Sequence, residues 1–83
     1  MSKDNFIILD TTQKGYVIKL LSSNPVMLLS IETGRTIGEL KDKIKNEIIH
    51  RESTLHKVNS EDKFIYNLSI NYYKEMLRYL NNN

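Results

Sequence analysis

The sequence has no cysteine and no tryptophan, one proline and three glycines in 83 residues. Without cysteine there can be no disulfide staple and no thiolate metal site. That composition suits a reducing compartment, and a cytoplasmic location is expected. Long apolar runs are also missing. The longest, "FIIL" and "VMLL", span four residues each, against about 20 for a membrane helix. The opening "MSKDNFIILD" does not read as a signal peptide, because its apolar stretch is short and flanked by Asp4 and Asp10.

Charge of one sign is lacking too. Twelve basic and ten acidic residues leave a net charge of +2. Residues 1–34 and 58–83 each sum to zero, so the excess lies in residues 35–57. Nucleic-acid binders usually carry a stronger, one-sided bias. Catalytic motifs are equally scarce. His50 and His56 do not have the i,i+4 spacing of a helical zinc pair. Ser53 has no strand–nucleophile–helix elbow around it. Gly34 and Gly38 bracket a helix start but lack the lysine spacing of a phosphate loop. The adjacent carboxylates Glu61 and Asp62 read as a helix start. No catalytic residue, metal site or cofactor is expected, and the chain reads as a non-enzyme.

What is present is a clear succession of elements in one small domain, residues 1–83. "FIILD" (Phe6 to Asp10) reads as a buried strand. "TTQKG" reads as a turn in which Gly15 takes positive φ. "YVIKLL" (Tyr16 to Leu21) is β-branched and aromatic, hence a strand. Pro25 breaks the chain before a third strand, "VMLLSIE" (Val26 to Glu32). Alternation assigns Met27, Leu29 and Ile31 to one face and Val26, Leu28, Ser30 and Glu32 to the other. The short gaps favour an antiparallel meander.

Helices follow. "TIGE" is a capping box: the Thr36 hydroxyl accepts from the Glu39 N–H, and the Glu39 carboxylate reaches back to the Thr36 N–H. Ile37, Leu40, Ile44 and Ile48 then form one stripe, Glu47 and Arg51 are an i,i+4 pair, and the helix should end near Glu52. Residues 53–59 read as either loop or short strand. Ser60 is the expected cap of a second helix running to about Leu80, and residues 81–83, "NNN", read as a disordered polar tail. The fold class is therefore α+β, a three-stranded antiparallel sheet followed by two helices packed on one face, in the order βββαα.

The second helix carries two apolar seams. One holds Ile65, Leu68, Tyr72, Met76 and Tyr79; the other holds Tyr66, Ile70, Tyr73 and Leu77. The polar strip, Asn67, Asn71, Lys74 and Arg78, is narrow, whereas an ordinary surface helix needs a single apolar stripe. Four of the five tyrosines lie here, and Tyr is enriched at interfaces. Either both seams are core, or Tyr66, Ile70, Tyr73 and Leu77 meet another chain, a second copy or a target protein.

"TIGELKDKI" resembles the helix start of ubiquitin-like β-grasp domains, which often pair a Thr-Ile cap with a Leu/Val-Lys-x-Lys-Ile pattern. The likeness covers residues 16–48 and implies a non-catalytic protein-binding domain. The chain ends in "LNNN" rather than Gly-Gly, so the resemblance does not imply covalent conjugation.

The expected function is that of a small non-catalytic regulator or inhibitor acting by protein–protein binding, with homodimerisation through the same helix as one form of it. Richness in Asn, Ile and Lys fits a phage- or virus-encoded protein directed at a host protein. The alternative is a small nucleic-acid-binding regulator using Arg35, Lys41, Lys45 and Lys57.

Overall fold

The computed structural model describes residues 4–82. Three strands, β1 (Asn5–Thr12), β2 (Gly15–Ser23) and β3 (Val26–Gly34), precede two helices, α1 (Ile37–Leu55) and α2 (Ser60–Asn81). The sheet is an antiparallel meander with order β1-β2-β3. The architecture is α+β in the order βββαα, as the turn and cap signals indicate.

The first hairpin closes through the two residues Gln13 and Lys14, since Thr12 and Gly15 are register partners. Gly15 has φ +144, a region that side chains rarely enter. A Cβ there would lie 2.3 Å from the Gly34 carbonyl oxygen. The first turn is thus pressed against the link between β3 and α1.

The core face of β2 carries Ile18 and Leu20, both fully buried. Across the ladders, Leu9 and Glu32 lie opposite Ile18, and Ile7 and Ser30 lie opposite Leu20. The helices cover this face with Leu40, Ile44 and Ile48 from α1 and Ile70, Tyr73, Met76 and Leu80 from α2. Each such burial stabilises by about 1.5–3 kcal/mol. The helices pack on each other and over β2 and β3 more than over β1.

Simple alternation fails in β3. Leu20 pairs with Ser30 but Leu21 pairs with Leu28, so a β-bulge absorbs one residue there. Leu29 consequently packs against the core. Leu28 and Ile31 both lie opposite outer-face residues of β2, Leu21 and Lys19. The expected grouping of Met27, Leu29 and Ile31 on one face is broken by that insertion.

Local caps also differ in detail. Thr36 accepts from the Glu39 N–H at 3.0 Å, but the Glu39 carboxylate accepts from the Arg35 N–H at 3.2 Å, one residue earlier than in the standard box. Helix α1 runs three residues past Glu52. The hydroxyls of Ser53 and Thr54 both donate to the His50 carbonyl, at 2.9 and 2.8 Å, so they extend the helix instead of interrupting it. Asn59, not Ser60, caps α2, its side chain accepting from the Asp62 N–H. Helix α2 includes Asn81 and closes at Asn82; Asn83, the end of the expected tail, lies outside the described residues.

Candidate protein-binding surfaces

The seam expected to meet a partner turns inward. Ile70 and Tyr73 are core residues, 4% and 8% exposed, and Tyr66 and Leu77 are half-buried. The reason is visible in α1. Arg51 lays its guanidinium over the Tyr73 ring, 4.7 Å from the centroid, while pairing with Glu47 one turn back. Lys74 and Glu52, 3.4 Å apart, add a second tie between the helices. Tyr73 is therefore covered by α1 and, at 8% exposed, leaves little surface for a second chain. Its neighbour Tyr66 lines an open cleft of about 290 Å³ with His50, Arg51, Ile65 and Ser69.

The opposite seam is split. Met76 is fully buried, but Ile65 is 62% exposed and Leu68 is also exposed. Residues 60–65 of α2 are all exposed. Phe64, 70% exposed, shares a face with Ile65 and Leu68 at helical spacing.

A larger apolar surface lies on the sheet, on the face away from the helices. Three rows cross it: Phe6–Leu21–Leu28, Ile8–Lys19–Ile31 and Asp10–Val17–Thr33. All three rows follow directly from the cross-strand partners. Phe6, Ile8, Leu28 and Ile31 are exposed, the last two at 53% and 42%. Leu21, Val17 and Lys19 in the central strand are half-buried by their neighbours. Strand and row spacings give this face roughly 14 Å by 20 Å. Six of the nine side chains in these rows are apolar, and adjoining exposed apolar side chains make the face a candidate interaction surface. Lys19 sits at its centre, between Ile8 and Ile31, and no ion pair to it exists among the described residues.

This face did have a sequence signal. "FIIL" and "VMLL" are apolar at successive positions, the pattern of strands buried on both faces. Both helices pack on the face that carries Ile18 and Leu20, so the other remains open.

The four basic residues do not form one site. Lys41 and Lys45 share a side of α1, one turn apart. Arg35 precedes α1 and Lys57 follows it, so about 28 Å of helix axis separates their positions. Asp42 and Glu52 interrupt the side that carries Lys41 and Lys45. Lys41 is half-buried, and Lys45, Arg35 and Lys57 are exposed.

No group of three or more metal-ligating side chains occurs among the described residues. No described helix is long and apolar enough to cross a membrane. No family model, curated protein or solved structure matches the chain.

Proposed function

We propose that the chain is a non-catalytic binding module that regulates or inhibits another protein, docking on it through the outer face of the sheet. The observation that carries this reading is the uncovered apolar face built from Phe6, Ile8, Leu21, Leu28 and Ile31. Exposing these side chains together costs solubility and gives the isolated fold nothing. A partner that covers them gains apolar burial at about 25 cal/mol per Å² before association costs.

The chemistry of the face defines its partner. Lys19 is the charge at its centre, and covering an ammonium without a counter-charge is unfavourable. The partner therefore presents a flat apolar surface with a carboxylate opposite Lys19. Tyr66, Ile70, Tyr73 and Leu77 are not part of this surface. The resemblance of residues 16–48 to ubiquitin-like domains stops at the helix, since α1 is followed by a second helix and not by further strands, so it adds no support to this reading. The lack of cysteine suits a cytoplasmic setting, and the Asn-, Ile- and Lys-rich composition suits a phage or viral source.

The test compares wild type with Ile31→Glu, Lys19→Glu and Phe64→Ser as baits for proteins of the native host. The reading is supported by one protein that binds wild type and Phe64→Ser, is lost with Ile31→Glu, and is weakened by Lys19→Glu. Equal retention on all four baits overturns it. So does recovery of nucleic acid whose binding falls steeply with added salt.

A further inference from the structure

The two edges of the sheet are treated differently. Strand β3 carries several features that discourage pairing with another chain. A bulge disturbs it at Leu28–Ser30. Glu32 lies opposite the buried Ile18, so its side chain leaves β3 on the helix side, and its carboxylate curls back to the strand edge. Thr33 lies between the two β3 residues, Glu32 and Gly34, that face Ile18 and Tyr16 across the ladder. Both of its main-chain groups are taken: its carbonyl accepts from Lys43 Nζ at 3.0 Å, and its N–H donates to the Glu32 carboxylate at 3.3 Å.

Strand β1 has none of these. It contains no proline, lysine or bulge along its eight residues, "NFIILDTT". Its hydrogen-bond phase is fixed at one end, where the Ser23 N–H donates to the Asp4 carbonyl at 2.6 Å. In an antiparallel ladder alternate residues face the partner strand. Phe6, Ile8, Asp10 and Thr12 therefore bond to β2, and Asn5, Ile7, Leu9 and Thr11 turn their N–H and C=O groups outward. Among the described residues no hydrogen bond reaches these outward groups.

We infer that β1 pairs with β1 of a second copy, antiparallel, about a two-fold axis at Ile8. This register sets Ile7 against Leu9 of the copy and Asn5 against Thr11. Every outward residue is then matched, giving about eight main-chain hydrogen bonds. On the helix side, Ile7 and Leu9 are half-buried because the helices lie over β2 and β3. The copy's Leu9 and Ile7 complete their cover. Charges also disfavour one neighbouring register. The two-fold at Ile8 places Asp10 opposite Phe6 and Asp4 opposite Thr12, whereas a two-fold at Ile7 would oppose Asp4 to Asp10. The same patch is used on both subunits, as a closed two-fold dimer requires. The result is a six-stranded sheet whose outer rims are the two guarded β3 strands, so growth stops at two copies.

The absence of native cysteine makes the register testable. Ile8 faces its own equivalent in a non-hydrogen-bonded pair, where Cα atoms lie about 4.5 Å apart, within disulfide reach. Under a mild thiol oxidant, Ile8→Cys should convert almost entirely to a linked dimer. Phe6→Cys and Asp10→Cys should each stay monomeric in denaturing gels, yet link to one another when mixed. Wild type should sediment at twice the chain mass of 9.8 kDa. A wild-type mass of one chain overturns the inference. Linking of Ile31→Cys as fast as Ile8→Cys overturns it as well, since that result reports packing of the outer faces. Leu9→Pro leaves the β1–β2 ladder intact, because the Leu9 N–H points outward. It should keep its circular dichroism spectrum and sediment as a monomer; a dimer that survives it overturns the proposed pairing.

Discussion

The ammonium of Lys43 is bonded to the main-chain carbonyl of Thr33, tying the second turn of α1 to the end of β3. Lys43 also lies 3.6 Å from Glu39 on its own helix. One side chain thus connects a helix cap with a sheet edge.

Removing that tie should change assembly more than stability. Lys43→Met combined with Glu32→Met removes both side-chain partners of the Thr33 main chain. The exposed ion pair involved is worth about 0–1 kcal/mol, so the denaturation midpoint should move little. Light scattering at rising concentration should instead report species larger than those of wild type. Unchanged scattering would show that these two side chains do not guard the edge.

On the sheet, the two faces should respond in opposite ways. Leu20→Ala removes a fully buried side chain and should cost about 2–5 kcal/mol. Ile31→Ser, on the open face, should cost about 0.5 kcal/mol or less. Urea titration followed by circular dichroism measures both. A large loss for Ile31→Ser would mean that the outer face is needed for folding.

Helix α2 makes the same comparison along one element. Tyr73→Ala should cost about 3–5 kcal/mol, in the range of buried aromatic truncations, and Phe64→Ser about 0.5 kcal/mol or less. Arg51→Lys keeps the charge but loses the planar stack on Tyr73, a loss of about 0.5–1 kcal/mol. Equal sensitivity at positions 64 and 73 would contradict the packing of α2.

Caps and turns should be separable from packing. Thr36→Ala and Asn59→Ala each remove an N-cap acceptor and should each cost about 1 kcal/mol. Gly15→Ala should cost more than either, because a side chain at φ +144 is strained and its Cβ meets the Gly34 carbonyl. Thermal melts of the three variants rank these effects. Gly15→Ala melting above the cap variants would disprove the close approach.

The order of elements was legible because its signals are local. Gly15, Pro25 and the Thr36 cap mark boundaries without reference to the rest of the chain. The inward direction of α2 was not legible. A helical wheel gives angles between Ile70 and Leu68 but not which of them faces the sheet; Arg51 on Tyr73 decides that, and it is a tertiary contact. The faces of β3 were hidden for a similar reason. The bulge at Leu28–Ser30 shifts the pattern by one residue, and no residue in "VMLLSIE" announces it. The open edge of β1 depends on hydrogen-bond phase, which side-chain pattern does not encode.

The meander has a kinetic consequence. Each strand pairs only with its neighbour in sequence, through turns of two residues, and α2 folds back on α1 across a short connection. No strand waits for a distant segment before its ladder can close. Loop-closure costs are therefore small, and the chain should collapse faster than β-rich domains of its size, toward the microsecond-to-millisecond end of the range. Stopped-flow mixing would measure it. The hairpins and helix pair would form first, leaving docking of Ile70, Met76 and Leu80 onto Ile18 and Leu20 as the late event.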